Sequence, residues 1–112
     1  MQYKELTKIE EILLVAIWHL KDKAYGVKIR QYVSNIIGKD FTYGHLYSAL
    51  NQMVTKKMVQ KKTAGNSSTQ RMGRPRIYYS VSPEGLKALT AAREMNQKLW
   101  SIIPDYALDK KK

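Results

Sequence analysis

The hydrophobic period of this chain changes once, after Lys57, and that change limits the available folds more than any other feature. Up to Lys57, apolar residues recur at three- and four-residue spacing, as in helices that bury one face. Leu6, Ile9, Leu13, Ala16, Ile17 and Leu20 define a first helix, with Thr7, Lys8, Glu10 and Glu11 largely opposite. After a break at Lys21–Lys23, a second helix carries Val27, Ile29, Val33, Ile36 and Ile37. It ends at Gly38, the residue type favoured just past a helix C-terminus. Thr42 is a good N-cap for a third helix, whose stripe is Leu46, Tyr47, Leu50, Met53 and Val54. Beyond Lys57, Met58–Ala64 and Arg76–Ser82 read as β-strands joined by a long polar loop over 65–75. Ser82, Pro83 and Glu84 then open a last helix, with Ser as N-cap and Pro at the first helical position. That helix is predicted to run to about Ile103, before Pro104, and the tail Asp105–Lys112 is expected to fray.

Three helices followed by a two-stranded hairpin is the winged helix-turn-helix arrangement, in which the second and third helices read DNA and the hairpin is a wing beside them. The expected fold is therefore mostly α with a small β-hairpin. Residues 1–82 form the winged helix-turn-helix domain, and 83–112 form a C-terminal dimerisation helix and tail. At 112 residues the chain has room for one core and leaves much apolar surface poorly covered, so a dimer is expected.

Charge agrees with this layout. The formal net charge is +11, and its distribution matters more than its total. Residues 1–40 and 83–112 each carry a net +2, whereas 41–82 hold 7 basic and no acidic side chains. The acid-free stretch is the third helix plus the wing, and nothing in it repels phosphate.

Several function classes are excluded or disfavoured. With no Cys there is no disulfide scaffold, thiol nucleophile or Cys-based zinc site, and His19 and His45 are too far apart for a convincing metal cluster. No Ser/His/Asp spacing supports catalysis, so neither an enzyme nor a cofactor is expected. The longest apolar run, Ile12–Trp18, is far below the ~20 residues that span a bilayer. Glu5, Glu10 and Glu11 sit where a signal peptide needs a cationic flank and an apolar stretch. The basic residues lie on a hairpin and a helix end, not along one amphipathic helix, which argues against a membrane surface.

Three segments stand out in order: Ala24-Tyr25-Gly26, the run Tyr43-Gly44-His45-Leu46-Tyr47-Ser48-Ala49-Leu50, and Gly73-Arg74-Pro75-Arg76-Ile77-Tyr78-Tyr79. Together they resemble a known family, the PadR-like transcriptional regulators. The start Ser82-Pro83-Glu84-Gly85 and Leu89 fit as well, and the match spans roughly residues 6–90. One departure is Met58, where the family usually has Gly before the first wing strand. The single C-terminal helix resembles the short branch of the family. That resemblance implies dimerisation through the last helix, a palindromic operator and, often, release by a small hydrophobic effector. The expected location is the bacterial cytoplasm, at the nucleoid.

On a helical wheel the third helix presents Gly44, His45, Ser48, Asn51, Gln52 and Thr55 opposite its apolar stripe. These are short, neutral, hydrogen-bonding groups suited to base edges. Tyr43, His45, Ser48, Asn51 and Gln52 are the candidate base readers, with the N-terminal turn foremost. Candidate phosphate contacts are Thr42, Gly44, Tyr47, Lys61, Lys62, Arg71, Arg74 and Arg76. The resemblance adds Tyr25 and Gly26, which open the second helix where backbone N–H groups can hold a phosphate. Strand alternation puts Lys61 and Lys62 on opposite faces, so at most one faces DNA directly.

The last helix is apolar over a wider arc than one stripe needs. Leu89, Ala92, Met95, Asn96, Leu99 and Ile103 are the candidate dimer interface. Trp18 and Trp100 are aromatic candidates for lining an effector cavity there, with core or interface packing as the alternative role. The function expected is a sequence-specific regulator of double-stranded DNA, homodimeric and, with no separate activating segment in view, a steric repressor. The rival is an RNA-binding or partner-recruiting winged helix without operator specificity. The neutral face of the third helix favours duplex DNA, because A-form RNA hides its major groove.

Overall fold

The chain enters its first helix, α1 (Lys8–Leu20), through a capping box: Thr7 Oγ1 accepts the Glu10 amide at 3.1 Å, and Glu10 Oε1 accepts the Thr7 amide at 3.0 Å. The computed structural model describes residues 5–63 and 76–108. Leu13, Leu14, Ala16 and Ile17 of α1 are at most 1% exposed and form the middle of the core. A 3-10 turn at Lys21–Lys23 leads to α2 (Gly26–Ile37), which closes at Gly38 in the left-handed conformation. The third helix, α3 (Tyr43–Thr55), starts at Thr42, whose Oγ1 accepts the His45 amide at 3.1 Å. Ile29 and Val33 of α2 and Leu46, Leu50 and Met53 of α3 complete the helical part of the core, with Phe41 between them.

Glu10 departs from the sequence expectation. The period puts it on the polar side of the first helix, but it is 5% exposed, and its Oε2 accepts from Lys56 Nζ at 2.6 Å. Lys56 follows α3, so the pair ties the start of α1 to the end of α3.

The turn out of α3 places Lys57 at φ 66, a left-handed value that a side chain with a Cβ rarely adopts. The glycine-like position expected at Met58 therefore falls one residue earlier, and Met58 itself is buried. Ser82 reinforces this turn. Its hydroxyl donates to the Lys57 carbonyl at 2.6 Å and accepts the Gly85 amide at 2.9 Å. Gly85 has no side chain because the Met58 carbonyl occupies the space a Cβ would need.

The wing consists of β1 (Val59–Thr63) and β2 (Ile77–Val81), antiparallel with Val59 opposite Val81 and Thr63 opposite Ile77. Each strand is shorter than the alternation predicts, and the expected loop over 65–75 lies outside the described residues. The free edge of β2 is occupied, which the sequence did not suggest. Tyr25 bridges to Tyr78, and the Tyr79 amide donates to the Ala24 carbonyl at 2.8 Å.

The last long helix, α4 (Pro83–Ser101), ends two residues before Ile103, and α5 (Asp105–Leu108) follows. The expectation of fraying is corrected over α5: Pro104 starts a turn in which its carbonyl accepts the Ala107 amide at 3.0 Å. Gly85 and Ala88 are buried and Leu89 packs against the core, whereas Met95, Leu99, Trp100 and Ile102 are more than half exposed.

Two stability predictions follow from these contacts. Lys57→Gly removes the left-handed penalty, partly offset by the larger entropy glycine loses on folding, so chemical denaturation should show a gain of about 0.5–1 kcal/mol. The second concerns Glu10. Burial opposes its ionisation, but hydrogen bonds from Lys56 and Thr7 outweigh burial and hold its carboxyl below the ordinary carboxylate value. A depressed carboxylate pKa contributes stability that is complete above the unfolded value of about 4.3 and is lost as pH falls through the folded value. Thermal melts of Glu10→Gln should therefore show a flatter loss of stability below about pH 5 than the parent chain.

Candidate nucleic-acid interface

One side of α3 is open to solvent. Gly44, His45, Ser48, Asn51, Gln52 and Thr55 are all exposed, and none carries a carboxylate. The helix uses little of its hydrogen-bonding capacity internally. Thr55 Oγ1 donates to the Asn51 carbonyl at 3.1 Å, and Thr42 is committed to its cap. The His45 ring meets the Phe41 ring edge-on, with centroids 5.2 Å apart, which orients the imidazole at the first turn.

Tyr43 and Tyr47 are neighbours on the same exposed surface, their rings stacked at 22° with centroids 6.2 Å apart. The Tyr47 hydroxyl lies where a Cβ on Gly26 would be, so Gly26 is buried beneath that ring. Gly26 thus lets α2 and α3 approach through a tyrosine. Tyr47 also borders Tyr79: burial first, and then the Tyr47 phenol, push the Tyr79 hydroxyl above its ordinary value.

The base of the wing adds a cationic group. Arg76 stacks over the Tyr25 ring at 4.2 Å, and Tyr25 meets Tyr78 edge-on at 5.4 Å. The hydrogen bond to Tyr78, and then the neighbouring Tyr25, raise the Arg76 pKa further, so it is a permanent cation. Register separates the two strand lysines. Lys62 is opposite Tyr78 and shares its face, while Lys61 is opposite the buried Tyr79. Lys62 is therefore the strand lysine grouped with Arg76, although both lysines are exposed. Arg71 and Arg74 lie outside the described residues.

The structure also brings in a residue that the sequence reading missed. Arg30 of α2 donates from Nε to the Phe41 carbonyl at 2.6 Å, and its guanidinium lies 4.5 Å from the centroid of the Tyr43 ring. A signal was present: every basic residue among the first 70 is Lys except Arg30. Arginine is the cation suited to stacking and to fixed donor geometry.

The candidate interface residues on α4 do not form one class. Leu89 belongs to the core edge, and Asn96 Nδ2 donates to Glu11 Oε2 of the same chain at 2.9 Å. Ala92 is half-buried, while Met95, Leu99 and Ile103 are exposed. Trp18 and Trp100, both about half exposed, line a groove of about 700 Å³ between α1 and α4 together with Val15 and Leu89. Lys21 Nζ lies 3.2 Å from the centroid of the Trp18 ring.

Helices α1–α3, a helix-turn-helix between α2 and α3, and a wing packed beside them define a winged helix-turn-helix protein. Residues 13–91 match the Transcriptional regulator PadR-like family, and the chain belongs to that family. A PadR family transcription regulator from hypervirulent Clostridium difficile is similar at 29% identity, with a TM-score of 0.61 over 84% of this chain and 88% of that one. A PadR-like transcriptional regulator from Bacillus cereus has 17% identity and a TM-score of 0.71, over 92% of this chain and 93% of its own. Bacillus subtilis PadR, solved in complex with operator DNA, has 13% identity and a TM-score of 0.63, over 76% of this chain and 46% of its own. No curated protein matches the chain. The family is one of transcriptional regulators, not enzymes. Among the described residues no helix is long and apolar enough to cross a membrane.

The Gly26–Tyr47 contact is testable. Gly26→Ala should destabilise the fold by about 1–3 kcal/mol through overpacking. In Tyr47→Ala most of that penalty should disappear, giving a clearly non-additive double-mutant cycle in urea denaturation.

Proposed function

We propose that the chain is a homodimeric regulator that reads double-stranded DNA by sequence, with α3 in the major groove and the wing on the flanking backbone. The observation that carries this reading is the exposed, uncharged, hydrogen-bonding face of α3, set within the segment 41–82 that has 7 basic and no acidic residues. A face needed only for solubility uses Glu and Lys, whereas Asn, Gln, Ser and His address base edges. Tyr43, His45, Ser48, Asn51 and Gln52 are assigned to bases. Tyr25, Thr42, Gly44, Tyr47, Lys61, Lys62, Arg71, Arg74 and Arg76 are assigned to the backbone, whereas Gly26, buried under Tyr47, is assigned to seating that ring. Among the described ones, Arg76 and Lys62 lie on the same face of the wing.

Residues 1–82 are the DNA-binding part in this reading and 83–112 the dimerisation part. Apolar side chains of α4 and of the turn after it that are exposed in one chain, Met95, Leu99, Trp100, Ile102 and Ile103 among them, become buried against a second copy. Two copies related by a two-fold axis read a palindromic operator with half-sites about one helical turn apart. Occupying that operator represses transcription, and the setting is the bacterial nucleoid. The groove beside Trp18 and Trp100 is assigned to a small hydrophobic effector that releases the operator. The operator complex of Bacillus subtilis PadR supports the DNA reading by fold likeness.

Selection of bound duplexes from a random pool tests the central claim, and a two-fold symmetric consensus is the expected result. Equal competition by operator and random duplex at moderate salt would sink it. Ser48→Ala or Asn51→Ala should then lower discrimination by about 1–3 kcal/mol where a bidentate contact is lost. Arg76→Ala should instead weaken all duplexes alike and reduce the salt slope by about 0.9. Sedimentation at micromolar concentration should give a dimer.

A further inference from the structure

The segment between α2 and α3 is fastened to α2 at two points one helical turn apart. Ser34 Oγ donates to Asp40 Oδ1 at 2.7 Å, and Arg30 Nε donates to the Phe41 carbonyl at 2.6 Å. Residues 30 and 34 lie on one face of the helix, so both bonds act on the same short stretch. Phe41 directly precedes Thr42, the cap of α3, and Tyr43 is the first residue of that helix. The same guanidinium that holds Phe41 also covers the Tyr43 ring, at 4.5 Å from its centroid. Tyr43 in turn stacks on Tyr47, and Tyr47 rests on Gly26 in the first turn of α2. Among the described residues no carboxylate forms an ion pair with Arg30.

We infer that Arg30 is a positioning residue for base reading: it sets the angle and register at which α3 begins, and so where Tyr43, His45 and Ser48 meet the bases. The inference rests on the reading that α3 enters the major groove. The geometry needs arginine in particular. One delocalised cation donates from Nε to a carbonyl while its central carbon lies 4.5 Å from an aromatic centroid, and a lysine ammonium, a single point charge, cannot do both from a fixed position. A residue that served only as a phosphate cation would work equally well as lysine.

The test compares Arg30→Ala and Arg30→Lys with the parent chain by operator and random-duplex affinity across a salt series, and by amide hydrogen exchange without DNA. Arg30→Lys should keep the salt slope and the random-duplex affinity but lower the operator-to-random ratio about tenfold or more, the size expected for one misplaced base contact. Arg30→Ala should lower the ratio similarly. In both variants exchange should speed up at the His45 and Leu46 amides, which bond Thr42, while α4 amides stay unchanged. A ratio restored in Arg30→Lys makes Arg30 a simple charge and overturns the inference. So does unaltered exchange at His45 and Leu46 in a chain whose parent discriminates between duplexes. A parent chain that does not discriminate overturns the α3 reading itself, whatever the exchange shows at Arg30.

Discussion

Leu13, Leu14, Ala16 and Ile17 leave almost no surface of α1's inner side exposed, and the rest of the molecule is arranged around that fact. At about 100° per residue these four positions span an arc of roughly 160°, too wide for one neighbouring helix to cover. Helices α2, α3 and α4 and strand β2 therefore all contact α1. This shared support lets a chain of 112 residues hold two very different surfaces apart. The polar face of α3 points out on one side, and the C-terminal half of α4, with Met95, Leu99 and Trp100 exposed, extends away from the core. Glu10 and Glu11 show the division within one turn of α1: Glu10 binds Lys56 at the end of α3, and Glu11 binds Asn96 of α4.

Electrostatics divides the candidate interface in the same way. Base discrimination needs groups that lose little when desolvated and that prefer one edge pattern over another, which neutral Ser, Asn and Gln provide. Backbone attraction needs permanent cations with no competing carboxylate, and Arg76 and Lys62 at the wing provide it. Had the cations been on α3 itself, affinity would rise for every duplex and the sequence-dependent part would shrink relative to it. Tyrosine joins the two parts. Tyr25 stacks under Arg76 at the wing, and Tyr43 and Tyr47 connect Arg30 of α2 to the buried Gly26 next to Tyr25.

What the sequence made legible was local. Periodicity placed α1, α2 and α3, Thr42 and Ser82 announced two helix starts, and Gly38 one helix end, because each signal lies within a few residues of its effect. Apart from the short local turn of α5, the misses are long-range or conformational. Glu10 looks like a surface residue until Lys56, 46 positions away, is brought beside it. The bridge from Tyr25 to Tyr78 has no period of its own, since one paired residue is too short to alternate. The left-handed turn falls on Lys57, whose carbonyl accepts the hydroxyl of Ser82, a residue 25 positions on that only the hairpin brings back beside it. Arg30 was hidden among lysines, and its role depends on Phe41 and Tyr43 folding back over α2.

A reading helix must be held more firmly than its burial alone requires, because a hydrogen bond to a base edge is lost over a fraction of an ångström, whereas apolar packing tolerates such a shift. The apolar stripe of Leu46, Leu50 and Met53 holds α3 against the core but leaves two motions open: sliding along its axis and rolling about it. The polar contacts oppose these motions. Lys56 bonded to Glu10 fixes the C-terminal end along the axis, and Arg30 bonded to Phe41 fixes the N-terminal end. Rolling is opposed midway by Tyr47 seated on Gly26, where the absence of a Cβ makes the seat. The two polar contacts act at the ends of α3, far from the helix centre, where each has the longest lever against sliding and tilting. The steric seat of Tyr47 on Gly26 acts between them, so the three contacts oppose different motions.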